Sequence, residues 1–353
     1  VVLQPAASAD EEHVMARVPL TLLAAVVAVA PARAACDRLA SIPDADGFAG
    51  AFAGTAGGTL LVAGGSNFPG RKPWEGGTKV WHDTVFALDQ PGGPWRVVGK
   101  LPRPMGYGVC ASDGQGVVCV GGGDADRNFA DAFRLTLRAG QLVTTPLPSL
   151  PRPMANGCGA MVGRTLYVAG GQETPTATRA SAEVFAIDLS AAAPAWRAIP
   201  PCPGGGRILA TAAAVDGAFW IAGGAALDPT GRRYVSDAWR YDHGWRRVAD
   251  LPHPVVAAPS PAATDVGGFF VLGGDDGSQV GVPHDRHRGF GRSVLRYDAK
   301  ADRWTPAGDY PAGAVTAPLV PWRGTWVIPN GEVRPGVRSP LVWAWTPATK
   351  VDP

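Results

Sequence analysis

LYVAGG, residues 166–171, is an apolar run closed by two glycines, and near copies of it recur along the chain. LLVAGG ends at Gly65, VVCVGGG at Gly123, FWIAGG at Gly224 and FFVLGG at Gly274, at intervals of about 50 residues. A sixth unit, TWVIPNGE at 325–332, falls where the next is due, with Asn-Gly in place of the paired glycines. Around each copy the order repeats. An Ala/Gly-rich strand and a turn come first, then the β-branched strand with its glycines, a variable loop, and a third strand such as FALD, FAID, WRYD or LRYD. A fourth strand led by Trp95, Trp196, Trp245 or Trp304 closes the unit. These tryptophans read as packing between units.

Units of this length with four short strands match the kelch period, in which each repeat is one blade of a β-propeller. The fold class is therefore all-β, a six-bladed kelch-type β-propeller. The last unit reaches only a third strand, LVWAWTP. The segment CDRLASIPDADGF at 36–48 reads like the missing fourth strand, so an N-terminal strand is expected to complete the last blade and close the ring. Closure removes an exposed edge that would invite aggregation. Residues 36–353 are taken as one propeller.

Composition agrees with a loop-rich globular chain: 47 Gly and 34 Pro in 353 residues, with only 18% charged. A net charge of +2, without a run of Lys/Arg interleaved with aromatics, argues against a nucleic-acid surface. Residues 15–36, MARVPLTLLAAVVAVAPARAAC, carry a basic start, an apolar stretch and an Ala-Arg-Ala cleavage pattern. That stretch is short for a membrane span, which needs about 20 apolar residues. Residues 1–35 are thus expected to be upstream sequence plus a secretory signal, with a periplasmic or secreted destination. A lipoprotein anchored at Cys36 is the rival, weakened by Arg33. The histidines and cysteines form no metal-ligand pattern, and no cofactor is expected. In an exported chain Cys110 and Cys119, opposed across a hairpin, either form a disulfide or remain small buried residues.

In a propeller the loops between second and third strands share a face with the links between blades. Residues just after the glycines therefore gather around the axis. Two loops on that rim are long and polar, 66–83 and 275–293, and loops this long are usually functional. Arg207 is expected to begin a first strand and point into the channel mouth. Arg207, Arg334, Arg338 and Arg292 would suit an anionic ligand, because guanidinium makes forked bonds to carboxylate or phosphate. Glu332 beside them is wasteful for holding an anion but useful for moving a proton. The residues alone read as a sugar-acid site with a proton shuttle, or as a rim salt bridge in a binding module.

Five segments carry a resemblance: DGFAGAFAG at 46–54, the first-blade loop with PWEGG and VWHD, GYGV at 106–109, GGGR at 204–207 and NGEVRPGVRSPLVW at 330–343. Together they resemble the N-acetylneuraminate epimerase (sialic acid mutarotase) family of exported kelch proteins, and its cyclically permuted branch more closely, because the NGE blade comes last. The resemblance spans residues 37–347. It implies interconversion of the α and β anomers of sialic acid, with Glu332 as the proton acceptor and Arg338 as a catalytic, substrate-holding arginine. It also implies substrate contacts for Arg207, Asn67, Glu75, Lys79 and His82, no cofactor, and a homodimer as the assembly to test. His82 or Glu75 is the candidate acid, unless one carboxylate serves both steps. Asp-box repeats of a sialidase are absent, and the few histidines disfavour a copper oxidase. A non-catalytic propeller that binds an acidic sugar or a protein remains the alternative.

Overall fold

The computed structural model describes residues 1–2 and 34–348. The expected secretory signal falls mostly on residues 3–33, outside the described residues. Six antiparallel four-stranded sheets are present among the described residues, with three two-stranded ribbons and no α-helix. Blade one runs Phe52–Ala56, Thr59–Ala63, Thr84–Leu88 and Arg96–Lys100. Blades two to five follow in the same order within 109–147, 155–199, 211–248 and 263–309. Blade six takes Val320–Trp322, Thr325–Pro329 and Val342–Thr346, and its outer strand is Ala35–Leu39, antiparallel to Val342–Thr346 with Ala35 opposite Thr346.

The second strands of blades two, four and five are buried along their whole length, and those of the other blades along most of it, because both faces of each sheet pack on a neighbouring blade. The core therefore lies in the seams. Phe52, Leu61 and Val85 of blade one meet Cys110, Cys119 and Phe133 of blade two, and equivalent clusters fill the other seams. First strands are rich in Ala and Gly because the sheets converge toward the axis. A Cβ on Gly54 would lie 2.8 Å from Ser112 Oγ of blade two, and one on Gly159 2.7 Å from Val109 Cγ1 of blade two. The tryptophans span the seams as expected. The indole N–H of Trp95, Trp196, Trp245 and Trp304 donates to the carbonyls of Ala40, Pro148, Pro200 and Ala249, at 2.6–2.8 Å.

The paired glycines stitch the blades. The first of each pair, Gly64, Gly121, Gly170, Gly223 and Gly273, has φ between 60° and 69°, and Asn330 takes the same place in blade six at 61°. Asn tolerates this left-handed region better than most residues, so Asn-Gly substitutes for Gly-Gly. The second residue donates its N–H to the next blade in five seams: Gly65 to Met105, Gly122 to Met154, Gly171 to Arg207, Gly224 to Val255 and Gly331 to Phe48. In blade two the pair is Gly121-Gly122, and Gly123 stands one place beyond it. A Cβ on Gly121 would sit 2.3 Å from the Met154 carbonyl. Gly121→Ala is expected to lower stability by more than about 2 kcal/mol, read as a fall in the urea midpoint; an unchanged midpoint would contradict the tight seam.

Around the axis runs a closed circle of backbone hydrogen bonds. Tyr107 N–H donates to Gly50, Asn156 to Tyr107, Leu209 to Asn156, Ala257 to Leu209, Thr316 to Ala257 and Gly50 to Thr316, at 2.7–2.9 Å. Each blade supplies one member, and all six have φ between 50° and 67°. The circle ties every blade to its neighbours at the channel mouth.

All five cysteines are free. Cys110 and Cys119 are directly opposed in register, yet both are buried thiols. Cys110 Sγ accepts the Ala53 N–H of blade one at 3.2 Å. Burial pushes the Cys110 thiol up to about 11 and that of Cys119 well above its ordinary value.

Candidate functional site

A cavity of about 320 Å³ opens on the face where the glycine-terminated strands end. That is within the size of small-molecule sites, roughly 300–1,000 Å³. Its floor includes Tyr107, Asn156, Leu209 and Thr316 of the hydrogen-bonded circle. The residue after each glycine pair forms a bridge with the residue before the circle member. These six rim positions are Ser66, Gly123, Gln172, Ala225, Asp275 and Glu332. Glu332 therefore occupies a place that every blade possesses, and only blade six fills it with glutamate.

Glu332 is held on both sides. Its backbone exchanges hydrogen bonds with Val315 at 2.8 and 3.0 Å, and its Oε1 accepts the Gly336 N–H at 2.7 Å. The ribbon Glu332–Arg334 with Val337–Arg338 sets Arg338 directly opposite it. Arg338 Nη1 lies 3.5 Å from Glu332 Oε1, and the guanidinium rests 4.7 Å above the Phe68 ring. Arg338 is only 8% exposed, and its Nε and Nη1 have no hydrogen-bond partner. A buried cation with unfilled donors beside a cavity is costly unless an anion completes it.

Lys79 lines the cavity from blade one, its Nζ 4.5 Å from the Trp81 ring and 4.4 Å from the Tyr107 ring. This double cation–π contact fixes the ammonium. Blades two and three add Asn128 and Gln172: Asn128 Nδ2 donates to the Gln172 carbonyl at 2.8 Å. Arg232 reaches the lining from blade four. Asp124, the second acid there, spends Oδ1 on the N–H groups of Asp126 and Arg127. Sequence reasoning did not single out Tyr107, Asn128, Gln172 or Arg232 as site residues. Gln172 was within reach of it, since it stands one place after a glycine pair, as Glu332 does.

Of the expected site residues, the cavity gathers Glu332, Arg338 and Lys79. Arg207 is elsewhere. It is 3% exposed, and its guanidinium forks onto Asp237 at 3.0 and 2.8 Å while also donating to the Gly223 carbonyl at 3.1 Å. Burial pushes the Asp237 carboxyl up, but the bonds from Arg207 and Trp239 outweigh it and hold the acid below its ordinary value. The glycines of GGGR make room for this pair: a Cβ on Gly204 would lie 2.1 Å from Arg207 Nη2 and 2.3 Å from Asp237 Oδ2. The first strand of blade four begins later, at Thr211. The expected orientation into the channel mouth is corrected, because the fork onto Asp237 draws the side chain into the seam.

Asn67 is 1% exposed and supports the site from behind, with Nδ2 donating to Asp44 Oδ1 at 3.2 Å and Oδ1 2.8 Å from His82 Nε2. Burial lowers the His82 pKa against the opposing pull of Asp44 and Asp83, and neither Asn67 nor His82 lines the cavity. Their chain of bonds holds the strand that leads into Phe68, the ring under Arg338. Glu75 lies exposed in a short 3-10 turn, Pro73–Glu75, and accepts the Lys72 N–H at 2.8 Å. Arg334 and Arg292 are exposed and outside the lining. The long loop at 275–290 also contributes no lining residue; its His284 stacks on Trp74 of blade one at 4.0 Å.

Comparison with known proteins bears on both the fold and the family. Residues 35–144 match the sequence profile of N-acetylneuraminate epimerase. The N-acetylneuraminate epimerase of Salmonella enteritidis PT4 is 40% identical over 108 residues, 28% of each chain. That of Brucella suis is 43% identical over 97 residues, 25% of this chain and 24% of its own. The Haemophilus influenzae enzyme is 28% identical over 222 residues, 54% of this chain and 57% of its own. The chain thus spans less than two thirds of each of these relatives. The solved structure of YjhT superposes with a TM-score of 0.66 at 16% identity, over 89% of this chain and 98% of that one, a likeness of fold. The family profile thus matches residues 35–144, under half of the chain, while likeness of fold to a solved propeller extends through most of it.

Proposed function

We propose that the protein is a sialic acid mutarotase, interconverting the α and β anomers of N-acetylneuraminate by acid/base opening and closure of the ring. The observation that carries the reading is the pairing of Glu332 with a buried Arg338 whose Nε and Nη1 are unfilled, at the edge of one cavity. The family match at 35–144 supports the substrate class. The export pattern at 15–36 supports action outside the cytoplasm.

The anomeric carbon of sialic acid carries no hydrogen, so its inversion requires breaking and remaking the bond to the ring oxygen. Arg338 and Lys79 hold the substrate carboxylate. Glu332 takes the proton of the anomeric hydroxyl as the ring bond breaks and delivers a proton to the ring oxygen. The keto group then turns, and the freed hydroxyl attacks its other face, giving its proton to Glu332, which passes it to the former keto oxygen and is left as the carboxylate. No net proton is consumed, so a single carboxylate serves both steps. This replaces His82 and Glu75 as the acid, since neither reaches the cavity. Proton transfer by a placed side chain typically contributes about 10²–10⁴-fold, appreciable for a reaction that already proceeds unaided.

The test follows the anomers by proton NMR after α-N-acetylneuraminate is released into buffer with the protein. Faster appearance of the β form than in buffer alone is expected. A rate equal to buffer would overturn the mutarotase and favour the binding-module reading. In the same assay Arg338→Ala is expected to raise KM by about 10–100-fold, the loss of a charged hydrogen-bond partner worth about 1.5–3 kcal/mol, while the thermal midpoint holds. An unchanged KM would remove Arg338 from carboxylate binding.

A further inference from the structure

Three two-stranded ribbons rise from the cavity face, and each brings one cation to the same cavity. Ser66–Asn67 with Val80–Trp81 carries Lys79 at its edge. Glu332–Arg334 with Val337–Arg338 carries Arg338, and Ala225–Asp228 with Gly231–Tyr234 carries Arg232. Blades one and six are neighbours, so Lys79 and Arg338 serve one side of the cavity. Blade four faces blade one across the axis, which sets Arg232 on the other side, near Gln172 and Pro175 of blade three.

The blade-four ribbon is anchored. Tyr234 Oη donates to Asp275 Oδ2 of blade five at 2.6 Å, and the same ring packs so closely on Gly277 that a Cβ there would lie 2.9 Å away. Arg232 itself makes no ion pair or side-chain hydrogen bond among the described residues, whereas Arg103 and Arg152, between other blades, are paired with acids. Its guanidinium stays available to a ligand on a ribbon whose base is fixed.

We infer that Arg232 is a specificity residue that reads the oxygen-rich tail of the sugar acid, the end remote from the carboxylate. This rests on the reading of the cavity as a sialic acid site. With the carboxylate taken by Arg338 and Lys79, a ligand crossing the cavity presents its polyol tail to blade four. A planar guanidinium there donates forked bonds to adjacent hydroxyl oxygens. The site then prefers sugar acids with the full tail over shortened ones.

Wild type, Arg232→Ala and Arg232→Lys are assayed by anomer NMR with N-acetylneuraminate and with its periodate-shortened analogue, which lacks the end of the tail. Wild type is expected to show a KM for the intact sugar about tenfold below that for the shortened one. Arg232→Ala raises the former about tenfold, with kcat within about twofold, and leaves the latter unchanged. Arg232→Lys restores part of the difference. Equal penalties on both sugars, no penalty on either, or a wild type blind to the tail would each overturn the inference while leaving the mutarotase standing. A wild type that accelerates neither sugar would overturn the mutarotase, and this inference with it.

Discussion

Glu332→Gln leaves the propeller folded and slows anomer exchange by about 10²–10⁴-fold, to near the buffer rate. The substitution keeps the side chain's shape, and the amide oxygen still accepts the Gly336 N–H that now meets Oε1. It removes the proposed proton acceptor and also the carboxylate beside Arg338. Binding of the substrate carboxylate is therefore expected to hold or tighten, because the guanidinium has lost its internal competitor. The outcome to look for is a collapsed kcat with a KM no higher than wild type and an unchanged thermal midpoint. A rate within about threefold of wild type would remove Glu332 from the chemistry, whatever the family match implies.

The second large effect is on stability. Asp237→Ala strands the Arg207 guanidinium in the seam between blades three and four, and breaking a buried pair in this way costs about 3–5 kcal/mol. Arg207→Met leaves Asp237 without its forked partner and is expected to be comparably harmful. Removing both, as Arg207→Met with Asp237→Leu, recovers most of the loss, since a buried ion pair exchanged for apolar groups is often close to neutral. Urea unfolding reads all three, and KM for the protein that remains folded stays at its wild-type value. If Arg207 were a substrate ligand, Arg207→Met would raise KM and the double variant would not repair it. That pattern would return Arg207 to the site.

The contrast between Arg207 and Arg338 marks where sequence reasoning stops. Both are arginines near a glycine-containing turn on the same face. Arg338 is turned to the cavity by its ribbon register opposite Glu332, six positions earlier, a local geometry that NGE followed by a tight turn already suggests. Arg207 is claimed by Asp237, a residue from another loop that no local pattern links to it. The same limit separates Gln172 from Arg232. One sits at a repeat-defined rim position; the other sits on a ribbon of irregular length that has no counterpart in most blades.

The sequence by itself determined the number of blades, the place of the paired glycines, the seam-spanning tryptophans and the rim position of Glu332. Each is periodic, because every blade must bury two faces and turn at the same point of the circle. Even Asn330 followed the rule, by adopting the left-handed conformation that glycine holds elsewhere. Only the tertiary structure decided which cations line the cavity. Long side chains choose their partners across seams, so the pairing of Arg207, the vacant donors of Arg338 and the reach of Arg232 depend on residues far apart in the chain. The state of the opposed Cys110 and Cys119 is likewise decided across a seam. Their register was legible, but the blade-one backbone that caps Cys110 comes from 57 residues away.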